Sequence, residues 1–356
     1  MAEVEFERRG RLGLITLNRP EALNALTHGM VHAMTERLGA WAEDPGVALV
    51  AIQGTGDRAF CAGGDIRALY EAGRPGGASG AANWQFYADE YHLNALIKRF
   101  PKPYIAIMDG IVMGGGVGVA IHGSLRIATE RTLFAMPETG IGLFPDVGGT
   151  WFLPRLPGKL GLWLGLTGAR VRGMDCVRAG ICDVFLDSES VEDALEWLAE
   201  GPWDAADEGS LDPLTVLRAP EAELITISAD RPHPSLDLVD GPFGAESVEA
   251  LLAALDAAGD WGQDQRRVIE TKSPTCTRIA FRQIRAGATL DFSACMALEY
   301  RLARFCMTHG DFYEGVRATI IEKDGAARWT PSRLTDADNA YVETAFATLG
   351  PDELRV

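Results

Sequence analysis

Short apolar runs alternate with amphipathic stretches along the first 200 residues, which predicts strands between helices. Strand-like runs cover 4–6, 12–17, 47–53, 104–108, 125–129 and 133–136. Helical periodicity covers 22–43, 66–71 and 83–100, and another helix starts at 117. Arg9-Gly10 separates the first two runs, so these predict a hairpin. Strands that alternate with helices indicate an α/β fold with helices packed on sheet faces.

The pattern changes after residue 200. Prolines at 202, 213, 220, 232, 234 and 242 interrupt any long element and predict a connector. Four helices are predicted beyond it, at 245–257, 264–272, 275–286 and 292–308. We therefore predict a core at 1–205, followed by a Pro-rich connector and C-terminal helical region at 206–356. The stretch AGRPGGASGAAN at 72–83 predicts a flexible loop.

Composition and charge narrow the class of protein. The chain has 356 residues, is 47% hydrophobic and contains no apolar run long enough to span a membrane. A net charge of −17 disfavours nucleic acid or an anionic membrane as partner, but a small phosphate-bearing ligand needs only a few local cations. Six cysteines without CxxC spacing predict buried free thiols and no metal site. The first residues lack the features of a signal peptide, which predicts a cytoplasmic location.

Two glycine turns follow predicted strands. In RAFCAGGDIRAL, Gly63 and Gly64 precede Asp65, which occupies an N-cap position. In IMDGIVMGGGVGVAIHG, three glycines at 114–116 open a helix without the spacing of a nucleotide fingerprint. Backbone N–H groups in such turns can donate to an anion or oxyanion. Each segment also has an interpretation without a ligand. The first can be an ordinary turn before a capped helix, and the glycines of the second can allow close helix-to-sheet packing.

Two carboxylates lie in an otherwise apolar segment, AMPETGIGLFPDVGGT. Fully extended, the chain would separate Glu138 from Asp146 by up to ~26 Å, but the intervening glycines and proline permit it to fold back. Burial of such an acid raises its pKa, which suits a general acid or base. The alternatives are a turn former for Asp146 and a helix-entry residue for Glu138. Together, the three segments suit a reaction in which charge develops on a carbonyl oxygen.

The longer motifs resemble the crotonase (enoyl-CoA hydratase/isomerase) superfamily. They are AFCAGGDI, GIVMGGGVGVAIHG, FAMPETGIGLFPDVGGTWFLPRLPGKLG, LTGARVRGMDCVRAG, SPTCTRIAFRQIRAG and MALEYRLARFCMTHGDFYEGVRATIIEKD. The match is close for the 3-hydroxyisobutyryl-CoA hydrolase branch and covers most of the chain outside about 206–245. The resemblance implies a crotonase-like spiral of ββα units that binds acyl-CoA thioesters. It also implies an oxyanion hole formed by the backbone N–H groups of Gly64 and Gly115.

The catalytic acids distinguish the branches of this superfamily. Hydratases use two Glu residues, and the first of these positions is Gly118 here. Asp146 instead stands where hydratases usually carry Gly, so the resemblance implies a hydrolase. In such a hydrolase, Glu138 attacks the thioester or activates water, and Asp146 assists proton transfer. Glu90 matches a substrate-contacting position of the hydrolase branch, with a solvated helix acid as the alternative. The remaining expected substrate-binding residues are Gly63, Asp65 and Leu26.

The expected activity is hydrolysis of 3-hydroxyisobutyryl-CoA or a close β-hydroxyacyl thioester, as in valine breakdown, with coenzyme A part of the substrate and no other cofactor. Arg19, Arg67 and Lys159 are candidates to meet the CoA phosphates, although each is also explained as a surface cation. An enoyl-CoA hydratase or isomerase that uses Glu138 alone is the alternative, and an acyl-CoA-binding module without turnover is a third. The resemblance also implies a homo-oligomer, a trimer or hexamer.

Overall fold

Three separate stretches of chain build each of two units in this structure, a computed structural model. The first unit comprises Met1–Gly64, His92–Phe134 and Val171–His233, and the second comprises Asp65–Tyr91, Ala135–Arg170 and Pro234–Val356. The structure describes residues 2–73, 80–201, 203, 214, 217, 225–226, 233 and 235–356. The predicted boundary between 205 and 206, and most of the predicted connector, lie outside the described residues, so the division at 205 stays a prediction.

The strands in the described part of the chain form two sheets. They are β1 (Val4–Arg9), β2 (Leu12–Leu17), β3 (Leu49–Gly54), β4 (Ala59–Cys61), β5 (Tyr104–Met108), β6 (Ile111–Met113), β7 (Leu125–Ala128), β8 (Leu133–Ala135), β9 (Val171–Arg172), β10 (Val184–Leu186) and β11 (Ile225–Thr226). The larger sheet has the order β1-β2-β3-β5-β7-β10-β11 and the smaller one β4-β6-β8-β9. β1 and β2 pair antiparallel, which confirms the predicted hairpin.

The helices alternate with the strands in the first half of the chain and dominate the second half. They are α1 (His28–Glu43), α2 (Ile66–Gly73), α3 (Gly80–Lys98), α4 (Gly115–Gly118), α5 (Gly149–Phe152), α6 (Leu160–Thr167), α7 (Met174–Arg178), α8 (Val191–Glu200), α9 (Leu236–Phe243), α10 (Val248–Ala257), α11 (Gly259–Glu270), α12 (Pro274–Gly287), α13 (Phe292–Thr308), α14 (Gly310–Val316) and α15 (Asn339–Thr344). The predicted α/β class with C-terminal helices is confirmed. Within the described ranges, no helix combines the length and apolar character needed to cross a bilayer.

The core of the first unit lies under the larger sheet. β2, β3, β5, β7 and β10 run parallel. Alternate residues of these strands, including Leu12, Leu14 and Ile105, bury their side chains together with Leu195 and Leu198 of α8. Burying a side chain of this size stabilises the fold by about 1.5–3 kcal/mol. Such burial explains why these strands read as apolar runs in the sequence.

Close helix packing characterises the second unit. Every residue of α6 is buried, and a Cβ added to Gly165 would lie 2.5 Å from the side chain of Ile284 in α12. Gly165 therefore lets the two helices approach closely. The helix predicted at 292–308 matches α13, whose N-cap Asp291 accepts a hydrogen bond of 2.8 Å from the N–H of Ala294.

Several predicted boundaries differ from the structure, among them the start of the helix predicted at 264–272, which begins at Gly259. The helix predicted at 22–43 begins only at His28, because Leu23 and Asn24 have positive φ and Leu26 forms a β-bridge with Gly64. The helix predicted from 117 is the short α4, which ends at Gly118. The loop predicted at 72–83 is shorter, since α2 extends to Gly73 and α3 begins at Gly80; residues 74–79 lie outside the described part.

Candidate active site

The two glycine turns lie side by side in the first unit. β4 and β6 are parallel neighbours, with Ala59 opposite Ile111, so both strands lead into their turns at the same edge of the sheet. Gly63 has a φ of +123°, and a Cβ added to it would lie 3.8 Å from the backbone nitrogen of Gly115. The structure thereby brings together the segments that carry the two predicted oxyanion donors.

The N–H groups of Gly64 and Gly115 donate to no protein acceptor among the described residues. Gly115 is the first residue of α4, where an N–H has no partner inside the helix. The next residue, Gly116, also allows close packing, because a Cβ there would lie 2.1 Å from the carbonyl oxygen of Cys61. The triple glycine therefore allows close packing, as one of the two interpretations predicts. It also leaves the N–H group of Gly115 available as a donor.

Leu26 joins the first of these turns. Its N–H donates to the carbonyl of Gly63 at 2.8 Å, so three of the predicted site residues, Leu26, Gly63 and Gly64, form one substructure. Asp65 starts the second unit, and its Oδ1 accepts the N–H of Ala68 at 3.2 Å. That bond confirms Asp65 as a helix cap, and its contact with substrate stays a prediction.

Both predicted catalytic acids are buried in the second unit, each with 4% of its surface exposed. Glu138 opens the 3₁₀ turn Glu138–Ile141, and its carbonyl accepts the N–H of Leu143 at 3.0 Å. Asp146 Oδ2 accepts the hydroxyl of Tyr91 at 2.9 Å. The apolar surroundings seen in the sequence therefore do exclude water from these carboxyl groups.

Burial shifts the acids around Asp146 towards their neutral forms. Burial raises the pKa of Asp146 to about 7, while the hydrogen bond from Tyr91 opposes the shift. Burial also raises the pKa of Glu90 well above its usual range, and the charges of Asp146 and Glu299 add to the effect. Only 2% of Glu90 is exposed, so the solvated-acid interpretation does not fit it. Asp146 can consequently exchange a proton near neutral pH.

Three residues beside Asp146 were not predicted from the sequence. Tyr91 donates to Asp146, Gln283 Nε2 donates to the carbonyl of Pro145, and Glu299 accepts two backbone N–H groups of the same turn. A signal for Glu299 was present, since it lies on the apolar stripe of α13 among buried Cys295, Leu302 and Cys306. A Glu on such a stripe is seldom buried unless it has a partner.

The candidate phosphate-binding cations lie on different elements. Arg19 is half-buried and pairs with Glu3 at 3.1 Å and with the carbonyl of Ala25 at 2.6 Å, so its guanidinium already has protein partners. The guanidinium of Arg67 donates to the carbonyl of Ile320 at 3.2 Å, and Lys159 is exposed. Their contact with phosphate stays a prediction. All six cysteines are buried and none forms a disulfide, as the sequence predicts.

Comparison with known proteins identifies the family. The family model described as enoyl-CoA hydratase/isomerase matches residues 12–346. A relative from Xenopus tropicalis named "3-hydroxyisobutyryl-CoA hydrolase, mitochondrial" is 43% identical over 99% of this chain and 91% of its own. The protein of that name from Homo sapiens is 40% identical over 99% of this chain and 90% of its own.

Two solved structures agree with the fold. One, described as a carnitinyl-CoA dehydratase from Mycobacterium thermoresistibile, has a TM-score of 0.89 and 38% identity over 99% of this chain and 98% of its own. Another, described as an enoyl-CoA hydratase from Rhodobacter sphaeroides 2.4.1, has a TM-score of 0.86 and 36% identity over the full length of both chains. The glycine turns, the buried acids and these matches together show that the chain belongs to the enoyl-CoA hydratase/isomerase family and has the crotonase fold.

Proposed function

We propose that this enzyme hydrolyses 3-hydroxyisobutyryl-CoA to 3-hydroxyisobutyrate and coenzyme A. The observation that carries the proposal is the similarity, at 40–43% identity over nearly the whole chain, to relatives named 3-hydroxyisobutyryl-CoA hydrolase. The burial of both Glu138 and Asp146 supports it, because a thioester hydrolase needs acid/base groups shielded from bulk water.

The oxyanion donors polarise the thioester in this proposal. The N–H groups of Gly64 and Gly115 bind the carbonyl oxygen as it becomes negative, and loss of one such donor typically costs about 3–4 kcal/mol of barrier. In the net reaction the C–S bond breaks, the acyl carbon gains an oxygen to become a carboxylate, and coenzyme A leaves as a thiol. Polarisation by N–H groups requires no metal and no redox cofactor.

Glu138 acts by one of two routes. In the covalent route, its carboxylate adds to the thioester carbonyl and expels the CoA thiolate, and water then cleaves the resulting mixed anhydride. In the general-base route, Glu138 takes a proton from the attacking water. Asp146 positions the substrate hydroxyl or the water in either route, and its raised pKa suits it to pass a proton to the departing thiolate.

An enoyl-CoA hydratase is the second candidate, because two of the similar solved structures are described as a dehydratase and a hydratase. Hydration of an enoyl thioester in this family uses two acids, and one of those positions is Gly118, a buried residue of α4 without a side chain. Glu138 would then act alone. The position of the second acid, at Asp146, favours the hydrolase.

A thiol-release panel tests the proposal. Free thiol is measured with 3-hydroxyisobutyryl-CoA and other hydroxyacyl thioesters, and loss of enoyl absorbance is measured with crotonyl-CoA. We expect thiol release by the wild type, a loss of at least about 10²-fold in Glu138→Gln and Asp146→Asn, and unchanged activity in the control Glu192→Gln, an exposed acid on α8. Rapid hydration of crotonyl-CoA without thiol release would replace the hydrolase by the hydratase.

Location and assembly are part of the same proposal. We infer a cytoplasmic enzyme that assembles as the trimer or hexamer implied by the resemblance; the vertebrate relatives carry the word mitochondrial in their names. Cell fractionation tests the first inference. Sedimentation at several protein concentrations tests the second, and a mass of about one chain at all of them would contradict it.

A further inference from the structure

We propose that Glu299 is a positioning residue that fixes the turn carrying Asp146 in its reactive geometry. Glu299 lies on α13 with no exposed surface. Its Oε2 accepts the N–H of Gly148 at 2.7 Å, and its Oε1 accepts the N–H of Thr150 at 2.8 Å. One carboxyl group thus binds both sides of a backbone turn that begins immediately after Asp146, about 150 residues away in the sequence.

The turn requires external anchors because its backbone is strained. Val147 has a φ of +50°, a conformation that costs a β-branched residue free energy, and Gly148 follows with a φ of +91°. Strained conformations persist only where the surrounding structure holds them. Glu299 holds the turn from Gly148 onwards, while Gln283 holds the carbonyl of Pro145 on its other side.

Packing of the α13 face alone does not account for a carboxyl group at this position. The face of α13 that carries Glu299 is otherwise apolar, with Cys295, Met296, Leu302 and Ala303 buried around it. The pKa of Glu299 is raised to about 8: burial is the main cause and the negative charge of Asp146 contributes, while the N–H group of Gly148 opposes the shift. An apolar side chain of similar size would avoid this desolvation but would leave two buried N–H groups without an acceptor.

The consequence for catalysis passes through Asp146. The carboxyl of Asp146 meets the hydroxyl of Tyr91 at 2.9 Å, and this contact depends on where the turn places the Asp146 backbone. A displacement of about 1 Å at a reacting group can cost 10²-fold in rate. The effect should fall on kcat rather than on KM, because Glu299 contacts the turn and not the substrate. This inference rests on the proposed function of Asp146.

The test compares Glu299→Gln with a matched control, Glu353→Gln. Glu353 also accepts a backbone N–H, that of Leu349 at 3.0 Å, and it binds Arg301 on the same helix as Glu299, but it does not touch the Asp146 turn. Two quantities are measured on each full-length protein: thiol release from 3-hydroxyisobutyryl-CoA, and amide hydrogen exchange of the peptide covering 146–150. Exchange reports on the turn whether or not the enzyme is active.

We expect Glu299→Gln to lower kcat by about 10- to 100-fold with KM changed by less than about threefold, because the amide keeps one acceptor and places an N–H₂ against the other donor. Exchange at 146–150 should accelerate by about tenfold or more, and Glu353→Gln should change neither quantity. Glu299→Asp, which keeps the carboxyl group but withdraws it by one methylene, should lower kcat in the same way.

Two outcomes overturn the inference. One is an unchanged kcat and unchanged exchange in both Glu299 variants, which would make the two hydrogen bonds irrelevant to the turn. The other is an equal loss of kcat in Glu353→Gln, which would reduce the effect to general destabilisation. If the wild type releases no thiol, the proposed function fails. Hydrogen exchange still decides in that case whether Glu299 holds the turn.

Discussion

Replacing Asp146 with Asn should make the folded protein more stable above neutral pH, although it removes a proposed catalytic group. Burial raises the pKa of Asp146 from 3.8 to about 7. The difference of about 3 units corresponds to about 4 kcal/mol at about 1.4 kcal/mol per unit. The folded state binds the proton more tightly, so the penalty is absent below about pH 3.8, grows as pH rises, and is complete above about pH 7.

Asparagine keeps the size of Asp146 and can still accept the hydroxyl of Tyr91, but it has no charge to desolvate. Urea unfolding followed by fluorescence measures the free energy of unfolding of both proteins at about pH 5.5, 7 and 8.5. The advantage of Asp146→Asn should grow by about 2 kcal/mol across that range. As a control, Asp352→Asn changes a side chain that is 69% exposed, so it should shift stability by less than about 0.5 kcal/mol at each pH. A stability difference that does not vary with pH would refute the burial argument.

Three further substitutions test neighbouring parts of the site. Tyr91→Phe removes the hydroxyl that lowers the pKa of Asp146, so the limb of the pH–rate profile due to Asp146 should move to a higher pH by about 0.5–1 unit. A limb that stays at the same pH would show that another group titrates. Glu90→Gln should not lower the free energy of unfolding by more than about 1 kcal/mol, because the amide keeps the size of a carboxyl group whose charged form burial disfavours, while KM for the hydroxyacyl thioester rises; an unaltered KM would exclude Glu90 from binding. Gly116→Ala would place a Cβ 2.1 Å from the carbonyl oxygen of Cys61, and urea unfolding should show a loss of about 2 kcal/mol; wild-type stability would contradict the close packing of α4.

The regular elements were predictable where a local pattern decides them. The strand predicted at 104–108 and the helix predicted at 292–308 match β5 and α13, because a buried apolar run and a long apolar stripe are both visible in the sequence. The start of α1 was not predictable, since Leu23 adopts a positive φ that its residue type disfavours. The β-bridge of Leu26 with Gly64 overrides helical periodicity there, and its partner is 38 residues away.

The burial of Glu138 and Asp146 was predictable from the apolar residues around them. The partners of Asp146 were not, because Tyr91 is 55 residues from it in the sequence and no periodicity links the two. The sequence gives a signal for Glu299, because a charged residue lies there on an apolar stripe. The stripe alone does not show which backbone groups Glu299 binds. Local sequence patterns specify which residues are buried, whereas the tertiary structure specifies which hydrogen-bond partners those residues have.

The long separation between Asp146 and Glu299 has a consequence for the order in which the enzyme becomes competent. During synthesis from the N-terminus, the turn at 146–150 leaves the ribosome well before α13, and its two N–H groups wait for an acceptor that lies 149 and 151 residues further on. A chain that ends between residues 147 and 298 contains both proposed catalytic acids but lacks the carboxyl group that we propose fixes one of them. On the proposed role of Glu299, competence is acquired late in synthesis, and truncated products of this length would carry the acids without the geometry proposed to make them reactive.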